Sequence, residues 1–167
     1  MARQVKVMLA VVVLALGFAG WAGWTWVRAG NDDDLGYAAT RDQVLATGRV
    51  QVATLTTLDY HDVDAGIEKW LAVSTGALRD ELAATDEATR EQLRAGGTVA
   101  TGRVLDAAVS ELDTRSGSAK LLVSVEISSA KGGSPPAARR DRFVAAMSRV
   151  DGGWKLSALD QVPLGAR

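Results

Sequence analysis

An uncharged apolar run of twenty-one residues, VMLAVVVLALGFAGWAGWTWV from Val7 to Val27, most strongly constrains how this chain can fold. As a helix it is about 31 Å long at about 1.5 Å per residue, which matches the hydrocarbon core of a bilayer. Arg3 and Lys6 precede it, and this positive flank predicts a cytoplasmic N-terminus. The sequence therefore predicts a single-pass plasma-membrane protein with a cytoplasmic start (1–6), a transmembrane helix (7–27), an acidic spacer (28–36) and an extracytoplasmic domain (37–167).

A cleaved signal peptide is the alternative interpretation of this run, since Gly20 and Ala22 offer small residues at plausible cleavage positions. The run is longer than a usual signal core. Its far end carries Trp21, Trp24 and Trp26, and indole rings favour the boundary between membrane and water. These features favour a retained anchor.

Small residues recur every four positions in the same segment, at Ala15, Ala19 and Gly23. Such a row lies on one face of a helix and lets a second membrane helix approach closely. The ordinary alternative is that an Ala- and Gly-rich sequence places them there by chance. The row is a candidate transmembrane packing face.

Composition narrows the possible chemistry. The chain carries 19 basic and 20 acidic residues, so no global field favours nucleic acid. It contains no cysteine and one histidine, which excludes disulfides, thiolate nucleophiles and multi-histidine metal sites. No cofactor, metal site or nucleic-acid partner is expected.

Beyond the spacer, the apolar spacing changes from helical to alternating. Helices are predicted over about 37–58, 64–74 and 77–95, with an Asp86–Arg90 pair on the exposed side of the third. Gly48 falls within the apolar stripe of the first helix, which predicts that another element passes close to it. Gly96-Gly97 is predicted to end the third helix.

Four strands are predicted after Gly97, and the clearest is Lys120–Ser128, where alternate residues are apolar. The others cover Thr98–Leu112, Arg140–Val150 and Trp154–Val162. The short connections, including a tight turn at 151–153, imply an antiparallel meander. The predicted fold is therefore α+β, with three helices covering a curved four-stranded antiparallel sheet.

Two other features have competing interpretations. Arg139, Arg140 and Arg142 form a basic run that could meet anionic lipid or an acidic partner, or could simply keep the entrance to a strand soluble. Trp70 and Trp154 could line a lipid pocket or belong to a packed core. The solvated strand entrance and the packed core are the favoured interpretations.

The densest group of acid–base residues is Asp59, Tyr60, His61, Asp62 and Asp64. An acid–base catalytic site could use Asp59 as a base, Tyr60 as a hydrogen-bond donor and His61 as a shuttle. Neighbouring side chains at helix ends diverge by about 100° per residue, however, so the three are not expected to converge on one atom. The favoured interpretation is a corner, in which Asp62 and Asp64 cap a helix, Asp59 binds backbone N–H groups and His61 is exposed.

The sequence LTTLDYHDVDAGIEKWLAVSTGALRDEL from Leu55 to Leu82, followed by DGGWKL near the C-terminus, resembles the actinobacterial Mce-associated membrane proteins. These are accessory proteins of mammalian-cell-entry lipid importers. Leu78 departs from the family pattern, in which an aromatic residue often follows the Thr-Gly pair. The most specific positions of the resemblance are Thr57, Asp59, Tyr60, Asp64, Thr75, Gly76 and Glu81.

The resemblance implies a nuclear-transport-factor-2-like half-cone, similar to the extracytoplasmic domain of type IV secretion inner-membrane assembly factors. It also implies a non-enzymatic accessory subunit that stabilises or assembles an importer of fatty acids or sterols. The implied partners are the integral membrane permease, the substrate-binding subunits and membrane lipid. A lipid- or sterol-binding domain, including an enzyme of the ketosteroid isomerase type, and a scaffold of another envelope complex are the alternatives.

Overall fold

The structure is a computed structural model that describes residues 33–162, with side chains from Leu35, together with Trp21 and Trp24. The predicted transmembrane helix, apart from those two tryptophans, and its packing face Ala15, Ala19 and Gly23 lie outside the described residues. Within the part that is described, no helix is long and apolar enough to cross a membrane. The chain divides into two compact units, 1–39 and 40–167.

The first described helix, α1, runs from Asp33 to Leu55, so it begins within the predicted spacer. Val44 and Val52 on one of its faces are completely buried. A Cβ atom added to Gly48 would lie 2.6 Å from Leu121 Cδ2 and 3.0 Å from Met147 Sδ. The predicted close approach at Gly48 is therefore confirmed, and the approaching element is the sheet.

Four helical elements follow α1 and precede the long strands. They are a 3₁₀ turn at Tyr60–Asp62, α2 at Val63–Val73, α3 at Gly76–Ala83 and α4 at Glu87–Gly96. The prediction of one continuous third helix is wrong, because Asp86 has an extended backbone and its carboxylate accepts a hydrogen bond from Thr89 N at 2.8 Å. That side chain caps α4. The predicted Asp86–Arg90 ion pair is accordingly wrong as well.

The sheet contains five antiparallel strands in the order β1-β2-β3-β4-β5. The predicted meander is confirmed, but the predicted number of four is wrong because a two-residue strand pairs with the start of β2. Two residues carry no detectable periodicity, so this strand had no sequence signal. The strands are β1 (Leu58–Asp59), β2 (Thr98–Asp113), β3 (Ser118–Lys131), β4 (Ala137–Val150) and β5 (Gly153–Gln161).

Backbone conformation at two glycine-containing segments follows the prediction. Gly97, with φ 60°, ends α4 in the left-handed region that glycine adopts without a steric penalty. Asp151 and Gly152 both have positive φ, 51° and 79°, as a type I′ hairpin turn requires. The turn joins β4 to β5 with the register that places Trp154 opposite Arg149.

The core lies between α1 and one face of the sheet. The alternating residues of β3 predicted to share a face are all buried there, and Trp154 is only 3% exposed. This confirms the interpretation of Trp154 as a core residue. The buried apolar set is Val44, Val52, Ala119, Leu121, Val123, Val125, Ile127, Ala145, Met147, Trp154 and Leu156.

One polar side chain of α1 enters this core. Gln51 Nε2 donates a hydrogen bond of 2.6 Å to the carbonyl oxygen of Trp154. Gln51 Oε1 and Trp154 Nε1 are buried and have no hydrogen-bond partner among the residues described. Gln51 thus ties α1 to the start of β5, and the Trp154 indole contributes through its apolar surface rather than through its N–H group.

Candidate functional site

The candidate site is the corner between α1 and α2, and Thr57 joins it to the sheet. Thr57 Oγ1 donates to the carbonyl oxygen of Ala53 at 2.8 Å and accepts from Gly102 N of β2 at 3.0 Å. The indole N–H of Trp70 on α2 donates to the carbonyl oxygens of Thr54 and Thr57 at 3.1 and 3.0 Å. The last turn of α1 is therefore bonded to both β2 and α2.

Asp59, Tyr60 and His61 form a small group next to Thr57, in which Asp59 and His61 are exposed and Tyr60 is half-buried. The Asp59 carboxylate accepts from His61 N at 2.9 Å and contacts His61 Nδ1 at 2.6 Å. The rings of Tyr60 and His61 are 3.8 Å apart between centroids. The predicted bonding of Asp59 to turn N–H groups and the exposure of His61 are confirmed, but the expected divergence of these side chains is wrong for Asp59 and His61, since the 3₁₀ turn brings them together.

Asp62 and Asp64 have different roles at the start of α2. Asp62 is the N-cap, and its carboxylate accepts from Ala65 N at 3.3 Å. Asp64 lies within the first turn, so its predicted capping role is wrong. Its carboxylate instead accepts from Arg94 Nη2 at 2.7 Å and from Arg90 Nη1 at 3.0 Å. Asp64 thus joins α2 to α4.

The arginine pair lowers the pKa of Asp64 below its ordinary value, chiefly through the hydrogen bond from Arg94. A carboxyl whose pKa is lower in the folded state adds stability above its unfolded pKa of about 3.9 and loses that contribution as pH falls through the folded pKa. We therefore expect Asp64→Asn to destabilise the domain at pH 7, and the difference from wild type to shrink as pH falls below about 3.9.

Urea unfolding of the full chain in detergent, repeated across this pH range, measures the effect. Glu81→Gln is the matched control, because Glu81 is an exposed acidic residue of α3. Its unfolding midpoint should follow that of wild type at every pH. A difference between Asp64→Asn and wild type that stays constant from pH 7 to pH 3 would contradict the assignment.

Thr75 and Gly76 attach the other end of α2 to β5. Thr75 N donates to the carbonyl oxygen of Leu156 at 2.7 Å, and Ser74 Oγ donates to the carbonyl oxygen of Trp70 at 2.7 Å. Gly76, with φ 56°, has a positive-φ conformation that glycine adopts without a steric penalty, and it begins α3. The positions shared with the resembled family thus fall into three places: Thr57, Asp59, Tyr60 and Asp64 lie at the corner, Thr75 and Gly76 lie against the edge of β5, and Glu81 is exposed on α3.

A groove of about 560 Å³ runs beside the corner between α1 and α2. Val50, Leu58, Asp59, Asp62 and Lys69 are among its lining residues. Hydrogen bonding to the backbone N–H of His61, the largest cause, lowers the pKa of Asp59 and makes it a weaker base. No three His, Asp or Glu side chains of the described residues are grouped to hold a metal ion.

Sequence reasoning missed three residues that build this site, Arg90, Arg94 and Gly102. Arg90 and Arg94 are four positions apart and so lie on one helix face, which was a usable signal for a shared acidic partner. Gly102 was not distinguishable from any other glycine of a strand.

Comparison with known proteins places the fold. No protein-family model matches the chain, and no curated protein matches it in sequence. An IcmL-like type IV secretion system protein from Legionella pneumophila matches in structure with a TM-score of 0.60 and 10% identity, over 76% of this chain and 95% of that one. CagV, a VirB8 homologue of the type IV secretion system of Helicobacter pylori, matches with a TM-score of 0.56 and 10% identity, over 74% and 99%.

VirB8 of Agrobacterium tumefaciens gives a TM-score of 0.54 and 12% identity, over 75% of this chain and 94% of that protein. Identities this low establish the fold alone. The expectation that the extracytoplasmic domain is built like those of type IV secretion assembly factors is confirmed at that level. Residues 40–162 belong to an α+β domain with the nuclear-transport-factor-2-like fold of VirB8.

Proposed function

We propose that the chain is a non-enzymatic, membrane-anchored accessory subunit that stabilises or assembles a Mce-type importer of fatty acids or sterols. The observation that carries the proposal is the fold, which covers about three quarters of the chain and is shared with components of multisubunit secretion systems. The family-like positions between Thr57 and Gly76 direct the choice of machine toward the lipid importer.

The membrane topology completes the proposal. Residues 7–27 span the plasma membrane, the N-terminus with Arg3 and Lys6 is cytoplasmic, and the domain lies outside. Ala15, Ala19 and Gly23 face a helix of the permease, because small residues allow close contact between helices in lipid. The expected partners are the permease, the substrate-binding subunits and the surrounding lipid.

The chemistry of the corner supports a structural role. Asp62 and Asp64 are bonded to a backbone N–H and to arginines, respectively, and Asp59 is paired with His61. Catalytic carboxylates in apolar pockets have raised pKa values, whereas the pKa of Asp59 and that of Asp64 are lowered. These groups stabilise the 3₁₀ turn, the start of α2 and its contact with α4 rather than exchange protons with a substrate.

Purification of the full chain from mild detergent tests the function. We expect the permease and substrate-binding subunits of a lipid importer to be recovered with it. Replacing Ala19 and Gly23 together by Leu should abolish this recovery, whereas Gly17→Leu, on the opposite helix face, should preserve it. Consistent absence of importer subunits from the wild-type preparation would refute the proposal.

A scaffold of a different envelope complex is the second candidate. It is favoured by the fold shared with proteins of the type IV secretion system. The same purification separates the two, since the recovered subunits identify the complex.

A further inference from the structure

The outer face of the sheet, opposite the core, carries exposed apolar side chains at Leu122 and Val162. Along β3 the outward positions are Lys120, Leu122, Ser124 and Glu126, and Leu122 is 51% exposed. Val162, beyond the end of β5, is 38% exposed and its N–H bonds to the carbonyl oxygen of Arg142. A single exposed leucine is unremarkable, but Leu122 lines a depression.

This depression, the outer-face groove, has a volume of about 390 Å³. The strand register builds its two walls. Ala108 lies opposite Leu122 in one row, while Asp106, Ser124 and Arg142 lie side by side in the next. Because paired residues share a face of the sheet, the groove crosses the strands between an apolar wall and a polar wall.

The charged side chains of the polar wall lack the ion-pair partners that the neighbouring arginines have. Arg103 and Arg140 both pair with Glu126, at 2.7 and 3.4 Å, and Arg139 pairs with Asp141 at 2.9 Å. Arg142 belongs to the same basic run but forms no ion pair with any residue of the described range.

Asp106, at the other end of the wall, accepts only the backbone N–H of Ala107 within that range, at 2.8 Å. Two inter-strand spacings of about 4.8 Å separate Asp106 from Arg142. The groove therefore has an unneutralised negative end and an unneutralised positive end about 10 Å apart.

We propose that the outer-face groove seats an amphipathic helix of a neighbouring subunit, with an aliphatic side chain beside Leu122, an acidic one facing Arg142 and a basic one facing Asp106. Seven helical residues cover about 10.5 Å, which matches the separation of the two charges. The assignment of that helix to an importer subunit rests on the proposed function.

The charges disfavour two other occupants. A lipid with its anionic head at Arg142 would cover Asp106 in the same groove without offering it a cationic partner, which costs desolvation of that carboxylate. A second copy facing this one across a two-fold axis along β3 would bring Asp106 near Arg142, but it would also bring Arg103 and Arg140 of the two copies together. Like charges directly opposite each other are destabilising.

Charge and polarity reversals test the proposal in the full chain purified from mild detergent. Leu122→Glu and Arg142→Glu should each lower the recovery of the neighbouring subunit at least tenfold. Leu35→Glu, at a 60% exposed leucine of α1, and Arg115→Glu, at an exposed arginine of the β2–β3 turn, are the matched controls and should leave recovery unchanged. The proposal would be overturned if Leu122→Glu or Arg142→Glu recovered as much of the neighbouring subunit as the wild-type chain does.

A cross-link identifies the occupant directly. The chain has no cysteine, so Ser124→Cys places one thiol in the groove, and a maleimide–benzophenone attached there can be photolysed in membranes. A cross-linked helical peptide with an acidic and a basic residue seven positions apart supports the proposal. Cross-linking to lipid, to a second copy of this chain or to nothing overturns it.

The cross-link and the recovery of subunits with the variants together distinguish the groove proposal from the proposed lipid-importer function. If the cross-linked helix belongs to a protein of another envelope complex, the groove is correctly assigned and the lipid-importer function is wrong. If importer subunits are recovered equally well with Leu122→Glu, the function stands and the groove assignment is wrong.

Discussion

Gly102→Val is expected to destabilise the domain by about 3 kcal/mol, at the upper end of the cost of overpacking a filled site. A Cβ atom at Gly102 would overlap Thr56 Oγ1 and lie 2.7 Å from Thr56 Cβ and 3.2 Å from its carbonyl carbon. Thr56 cannot easily move aside, because its hydroxyl bonds to the carbonyl oxygen of Val52 at 2.8 Å and its backbone ends α1. The neighbouring bond from Gly102 N to Thr57 Oγ1 would be strained as well.

Urea unfolding of the full chain in detergent measures this effect as a lower midpoint at an unchanged slope. Gly96→Ala is the control, since no atom lies within 4 Å of an added Cβ there and the position is helical. Its stability should stay the same or rise by up to about 1 kcal/mol. Equal midpoints for Gly102→Val and wild type would show that β2 and the end of α1 do not approach as closely as described.

Trp154→Ala is expected to cost about 3 to 5 kcal/mol, because truncating a buried tryptophan loses its transfer free energy and leaves a cavity. Trp154 is 3% exposed and belongs to the same cluster as Leu121 and Leu156. The backbone carbonyl that accepts the Gln51 hydrogen bond would remain, so the loss is one of packing.

A pair of conservative variants separates packing from hydrogen bonding. Trp154→Phe should lower the free energy of unfolding by less than Trp70→Phe does, when each loss is divided by the buried side-chain area that the substitution removes. The reason is that Trp154 Nε1 has no hydrogen-bond partner within residues 33–162. Trp70→Phe removes the bonds to Thr54 and Thr57 and leaves the end of α1 less well fixed. Equal losses of unfolding free energy per unit of area removed, measured by urea unfolding, would argue against this account of the two indoles.

Local patterns predicted several elements correctly. The alternation of Leu121, Val123, Val125 and Ile127 placed β3 and its buried face, because the side-chain period of a strand is two residues. The turn at 151–153 also followed from the local preference of glycine for positive φ. The predicted break between the helices over 64–74 and 77–95 is a real boundary between α2 and α3.

The errors of prediction share a physical cause. Asp86 and Asp64 were each assigned the wrong role, since a carboxylate near a helix start can cap that helix or reach a cation elsewhere. The choice depends on which donor comes near. For Asp64 the donors are 26 and 30 positions away, on a helix whose placement no local pattern encodes. The strand at Leu58–Asp59 likewise exists only because β2 passes beside it.

The outer-face groove likewise combines residues that local sequence patterns indicate with an arrangement that only the folded sheet decides. Leu122 and Arg142 were visible in the sequence as members of a strand pattern and of a basic run, yet neither was distinguished from its neighbours. Only the register of β2, β3 and β4 brings them into one groove and leaves Arg142 without the acidic partner that Arg103 and Arg140 share.

The amino-acid sequence by itself determined the apolar segment, the α+β order of elements and the positions of the glycine turns. These follow from helical and strand periodicity and from backbone sterics, which act between residues close in the chain. The tertiary structure alone decided that Asp64 joins α2 to α4, that Thr57 is bonded to Gly102 across 45 positions, and that an apolar and a charged row face each other on the sheet. Those contacts are set by the packing of whole elements, since hydrogen bonds and ion pairs form wherever the folded chain brings donors and acceptors within about 3 Å.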